Sequence, residues 1–151
     1  MTMLRETIEV ERSQEEAFDY VADFSTTAEW DPGIAEASMV GEGPIGVGTR
    51  FEVVALFNGK RLPLVYEITS FERPGRVALH GSGSGFEGID EIAFSPGRDG
   101  STRIAYTAEI RLKGLARLAE PFMGGRFEEM ARTAVDGLRS KLDAGVSAPR
   151  R

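Results

Sequence analysis

Leu4, Glu6, Ile8 and Val10 alternate with Arg5, Thr7, Glu9 and Glu11, the two-residue period of a strand with one apolar face, on which Glu6 is the single polar intrusion. Ser13-Gln14-Glu15-Glu16 then reads as a capping box, in which a hydroxyl and a carboxylate satisfy orphan amides at a helix start. Ala17, Phe18, Val21 and Phe24 supply that helix with its buried stripe. A second short helix is predicted from Ser25 to near Trp30, because Pro32 disfavours helical geometry at Asp31 and Gly33 permits a reversal.

From about residue 34 to 113 the chain reads as successive strands divided by turn chemistry, with no helical period long enough to interpose a crossover, so the sheet is antiparallel. Asn58-Gly59 separates Phe51-Val53-Ala55-Phe57 from Leu62-Leu64-Tyr66-Ile68 and tolerates the positive φ of a two-residue hairpin. A second hairpin turns around Pro96 to Gly100. Ile104, Tyr106, Ala108, Ile110 and Leu112 alternate with Arg103, Thr107, Glu109, Arg111 and Lys113, which marks the last strand and its buried face.

After Gly114 the period lengthens to that of a helix, with Phe127, Met130, Ala131, Ala134, Val135, Leu138 and Leu142 on one stripe. A shorter apolar run of Leu115, Leu118, Phe122 and Met123 precedes it, broken by Pro121 and Gly124-Gly125. Residues 1–144 make one domain, and the tail 145–151 has nothing to bury and is expected to fray. A strand, two short helices, about six more strands and a long terminal helix bury their apolar faces together only if a curved sheet of about seven strands wraps the helix, an α+β helix-grip arrangement.

Composition narrows the function. The 151 residues suffice for one core that buries roughly two thirds of the unfolded surface. A formal charge of -6 leaves no basic stripe for phosphate neutralisation, which argues against nucleic acid. With no cysteine, disulfides, thiolate metal sites and Cys nucleophiles fall away. Charges at Arg5, Glu6, Glu9 and Glu11 interrupt any secretory signal, and the longest aliphatic and aromatic run, Val53 to Phe57, is far too short to span a bilayer. A cytoplasmic protein without stable membrane insertion is the expectation; a homodimer is compatible with it.

The sequence resembles the SRPBCC, or START/Bet v1-like, superfamily, most closely its polyketide cyclase/dehydrase and lipid-transport branch. The residues that carry the likeness are Ile8-Glu9-Val10, the run Ser13 to Val21, Asp23-Phe24, Trp30-Asp31-Pro32, Gly48-Thr49-Arg50-Phe51, Pro63 to Ile68, Gly100-Ser101-Thr102 and Gly114-Leu115. They span nearly the whole chain as apolar and turn patterns rather than as a catalytic signature. The resemblance implies a deep hydrophobic cavity between the concave sheet and the last helix, entered near the short helices and strand-connecting loops. Independently, Ala55, Ala108, Ala131 and Ala134 leave space on the inward faces, and Met123 and Met130 adapt to a guest. The opposing reading is a core filled to ordinary density.

Each candidate for chemistry has a plainer alternative. His80, the one histidine, is either a cavity-facing general base or a surface histidine. Asp90 shares the phase of Phe86, Gly88, Ile92 and Phe94, so alternation buries a carboxylate unless a bulge turns it outward. Tyr66 and Tyr106 point inward, either to orient a ligand's polar group or as ordinary core tyrosines. Trp30, Phe57 and Phe86 lie near predicted connections as candidate rim residues, and Phe122, Met123, Phe127 and Met130 complete the candidate lining from the C-terminal elements. Residues 83 to 88 spell Gly-Ser-Gly-Phe-Glu-Gly, but no helix follows, so the dinucleotide fingerprint fails on context and residues 81 to 85 read as a strand connection. No metal or cofactor is expected from one His, no Cys and no HExxH. The leading reading is a protein that binds, and by extension transports, a small hydrophobic molecule such as a lipid, isoprenoid or aromatic polyketide. Its alternatives are a cyclase/dehydratase-type enzyme and an interaction module that uses the sheet's outer face.

Overall fold

Every long alternating segment becomes a strand of one sheet. The computed structural model describes residues 2–57, 59–122 and 124–147, and of residues 120, 122, 124 and 144–147 the backbone alone. The strands are β1 (Thr2–Val10), β2 (Ile34–Met39), β3 (Arg50–Phe57), β4 (Lys60–Glu72), β5 (Arg76–Gly83), β6 (Phe86–Pro96) and β7 (Thr102–Leu112). They form a curved antiparallel sheet in the order β1-β7-β6-β5-β4-β3-β2. Phe57 pairs with Lys60 across the expected hairpin, of which Asn58 lies outside the described residues. The β6–β7 turn passes through a 3-10 segment, Arg98–Gly100, with Asp99 and Gly100 at positive φ.

One expectation is corrected here. Residues 81 to 83 are not connection but the end of β5, paired with β4 on one side and β6 on the other; the turn is confined to Ser84-Gly85, with Gly85 at φ +75. The glycines serve packing: a Cβ at Gly81 would lie 2.5 Å from the Tyr66 ring, and one at Gly83 2.6 Å from the Leu64 side chain. Their bareness lets both side chains lie flat across β5.

Helix α1 (Gln14–Ala22) is capped by Ser13, whose hydroxyl oxygen accepts the Glu16 amide at 3.2 Å. The Glu16 carboxylate accepts the Ser13 hydroxyl proton in return, rather than the Ser13 amide that a full capping box would use. A 3-10 turn, Phe24–Thr26, leads into the single-turn helix α2 (Thr27–Trp30), which ends ahead of Pro32. After β7 a 3-10 segment, Gly114–Phe122, carries exposed Leu115 and Leu118 and is followed by α3 (Gly124–Ser147). Helix α3 continues to Ser147, five residues past Leu142 where the apolar stripe stops, because backbone bonds alone extend an established helix at little cost. Its C-terminal half is tied down: the Arg12 guanidinium donates to the Leu142 carbonyl at 3.0 Å, and the Glu11 amide to Asp143 Oδ1 at 2.8 Å.

The strands divide their inward residues along their length. Ile8, Val10, Phe51, Val53, Ile68, Leu79, Ile92, Phe94 and Ile104 pack with Phe18 and Val21 of α1 and Leu138 and Leu142 of α3 into a closed core. Phe18 anchors it, with the rings of Phe71 and Phe94 both 5.2 Å away in edge-on contact. At the other end, α3 rests mainly on β1 and α2 and stands off the middle strands. Gly137 makes that approach possible, since any Cβ there would overlap the Trp30 carbonyl oxygen. No described helix is long and apolar enough to cross a membrane.

Candidate functional site

The space between α3 and the far half of the sheet is a cavity of about 430 Å³. Small side chains hold it open: Ala55, Ala108, Ala131 and Ala134 occupy inward positions where larger residues would fill the gap. Phe57 and Phe127 stack across it at 5.7 Å, and Trp30 meets Tyr106 edge-on at 6.5 Å. Leu56, Ser84, Ala119 and Met130 line the cavity and are exposed, which puts its mouth between the β3–β4 hairpin, the β5–β6 turn, the Gly114–Phe122 segment and the first turns of α3.

Of the residues singled out from the sequence, Trp30, Phe57, Tyr66, Phe86, Tyr106, Phe127 and Met130 face this cavity. Met123 and the Phe122 side chain lie outside the described part of the structure. Trp30 also anchors α2, its indole N–H donating to the Thr26 hydroxyl at 3.3 Å.

Asp90 faces inward without a bulge. Gly88, Asp90, Ile92 and Phe94 are buried while Ile89, Glu91 and Ala93 are exposed, and the register of β6 with both neighbours is unbroken across the position. The Tyr106 hydroxyl donates to Asp90 Oδ2 at 2.5 Å. Burial pushes the Asp90 carboxyl up to about 6; the Tyr106 hydrogen bond opposes this and the charge of Asp31 adds to it.

Asp31 is the partner that sequence reasoning treated only as a residue before proline. It caps the end of α2, with one oxygen accepting the Gly33 amide at 2.8 Å, and it lines the same cavity. Burial raises its carboxyl to about 6 as well, against the pull of that amide. The hydroxyls of Tyr66 and Tyr106 are held well above the ordinary tyrosine value, first by burial and then by the carboxylate charges. Glu6, opposite Tyr106 in the β1–β7 register, also lines the cavity and explains the polar intrusion on β1.

Of the two readings of His80, the structure agrees with the surface histidine and not with the cavity-facing base. Leu79 takes the inward phase of β5, so His80 points to the outer face, where its side chain is 39% exposed and its Nε2 lies 2.8 Å from Glu87 Oε2. That contact draws the Glu87 carboxyl below its usual range. The Gly83 to Gly88 stretch forms a β-turn between paired strands and presents no helix N-terminus for a pyrophosphate.

No curated protein sequence matches the chain. Among solved structures, a Thermus thermophilus protein, TTHA0849, is similar at 17% identity and a TM-score of 0.80, over 95% of this chain and 99% of that one. The Zhui aromatase/cyclase from Streptomyces sp. R1128 is similar at 11% identity and a TM-score of 0.80, over 98% of this chain and 97% of its own. A START superfamily protein from Mycobacterium smegmatis aligns at 17% identity and a TM-score of 0.73, over 97% and 98%. At these identities the likeness is one of fold. Residues 1–143 match the family described as polyketide cyclase/dehydrase and lipid transport, and the chain belongs to that family.

Proposed function

We propose that this protein binds, and by reversible uptake carries, a small, largely apolar molecule in the cavity beneath α3. The observation that supports the reading is a pocket of about 430 Å³ whose walls are mostly aliphatic and aromatic, with the acidic and tyrosine side chains inside and Ser84 at the mouth as its polar groups. Affinity would come from withdrawing apolar surface from water, at about 25 cal/mol per Å², with the cluster fixing orientation. Native mass spectrometry of gently purified protein, and titration with the neutral fluorophore N-phenyl-1-naphthylamine, test it. Saturable uptake that phenylalanine at Ala108 or Ala134 abolishes is the expected result; no uptake by the native protein sinks the reading.

A second reading, an enzyme of cyclase/dehydratase type, is favoured by one observation: Asp90 and Tyr106 line the pocket together, joined by a hydrogen bond. As a carboxylate Asp90 would take a proton from a guest, and as an acid return it to another atom of that guest, with Tyr106 steadying both states. An enzyme working this way loses turnover by about 100-fold or more in Asp90→Ala, whereas a carrier has no turnover to lose.

A further inference from the structure

The polar cluster of the cavity is one-sided. Glu6, Asp31 and Asp90 line the pocket, and no lysine, arginine or histidine does among the described residues. Arg126, near the mouth, lies with its guanidinium carbon 5.8 Å from the Phe57 ring centroid and is not part of the lining. Asp90 is only 8% exposed, yet Tyr106 engages just one of its oxygens; Oδ1 has no hydrogen-bond partner among the described residues. The Tyr66 hydroxyl, on the same side of the cavity, likewise has none, and Asp31 keeps its second oxygen free after Oδ1 meets the Gly33 amide.

Carboxylates brought together in an apolar pocket repel one another and any anionic guest, and Asp90 and Asp31, each with a single hydrogen bond to one oxygen, are only partly compensated. A cation supplies the remainder. The surroundings suit one: Trp30, Tyr66 and Tyr106 line the same space, and the negative quadrupole of an aromatic ring attracts an ammonium group that has shed its water. A fatty acid or a phosphate ester would meet only like charge.

We propose that the guest is an apolar amine whose protonated nitrogen docks against Asp90 and Asp31 among the Trp30, Tyr66 and Tyr106 rings, its apolar body extending toward Phe57, Phe86 and Phe127. This rests on the cavity-binding reading and narrows it, from any hydrophobic molecule to one carrying a positive head and a hydrogen-bond donor for Asp90 Oδ1.

Calorimetric titration with naphthylmethylamine, naphthylmethanol and naphthoate compares one apolar skeleton bearing three heads, at about pH 8, where amine and carboxylates are charged. The amine is expected to bind about 10-fold or more tighter than the alcohol, and naphthoate weakest. In Asp90→Asn and Asp31→Asn the amine should fall to the level of the alcohol, while the alcohol's affinity holds; this comparison within each variant also shows that the variant is folded. An amine no tighter than the alcohol in the native protein overturns the proposal, as does a preference for amine that survives both substitutions. If the alcohol and the neutral fluorophore bind while the amine gains nothing, only the cationic head is refuted. If nothing binds, the cavity reading falls with it.

Discussion

Replacing Asp90 by asparagine should make the protein more stable at neutral pH, and by an amount that depends on pH. Burial moves the carboxyl from 3.8 to about 6. Each pH unit of such displacement is worth about 1.4 kcal/mol, so ionised Asp90 costs the folded state about 3 kcal/mol at neutral pH. The folded value lies above the unfolded one. Below about pH 4 both states therefore hold the proton and nothing is lost. As the pH rises the unfolded chain ionises first, and stability falls until the folded carboxyl has ionised too, near pH 6. Asparagine keeps an acceptor for the Tyr106 hydroxyl and removes the charge. Urea unfolding followed by the fluorescence of Trp30, from about pH 4 to pH 8, gives the stability of both proteins. Their difference isolates Asp90 from Asp19 and Glu9, whose carboxyls are held low by hydrogen bonds to Arg73 and to the Arg98 amide and so act in the opposite direction. Asp31 titrates beside Asp90 and broadens the transition. The gap should open across this window in favour of asparagine, toward about 3 kcal/mol. A gap that is constant with pH, or that widens toward acid, refutes the burial of a carboxylate that its single hydrogen bond does not fully compensate.

Gly137→Ala forces a methyl group into the Trp30 carbonyl and should destabilise by about 1–3 kcal/mol in thermal or urea melts, while alanine at the exposed Gly125 should not. Gly81→Ala drives the Tyr66 ring toward the cavity and should weaken uptake of the neutral fluorophore by about 10-fold, with a smaller effect on unfolding. His80→Ala, on the outer face, should leave that uptake within about twofold of the native protein; a larger loss would mean that His80 reaches the pocket.

The elements were legible wherever one face is buried throughout. On β6 and β7 the inward and outward residues alternate from end to end, because each strand has a neighbour on either side and an inner face turned to the core at one end and to the cavity at the other. It also carried the orientation of Asp90, where strict phase prevailed over the alternative of a bulge. Asp31 was not legible as a cavity residue. Its local signal is a turn before Pro32, and its direction depends on where α2 stops and on how closely α3 approaches Trp30, neither of which is encoded in residues near it. Gly81 and Gly83 misled for a related reason: glycine punctuates turns, but here its missing side chain makes room for Tyr66 and Leu64 within a strand. His80 sat on a strand too short in its apparent extent to fix a phase, and the three further residues of β5 supply it.

The partition of the sheet's inner face into a packed part and an open part separates two kinds of evolutionary freedom. Substitutions at Ala108, Ile110 or Phe86 alter the shape of a void, whereas those at Ile92, Ile104 or Phe18 disrupt the closed core. The shape of the void can thus be redrawn at a few positions around the mouth while the core that folds the chain stays as it was.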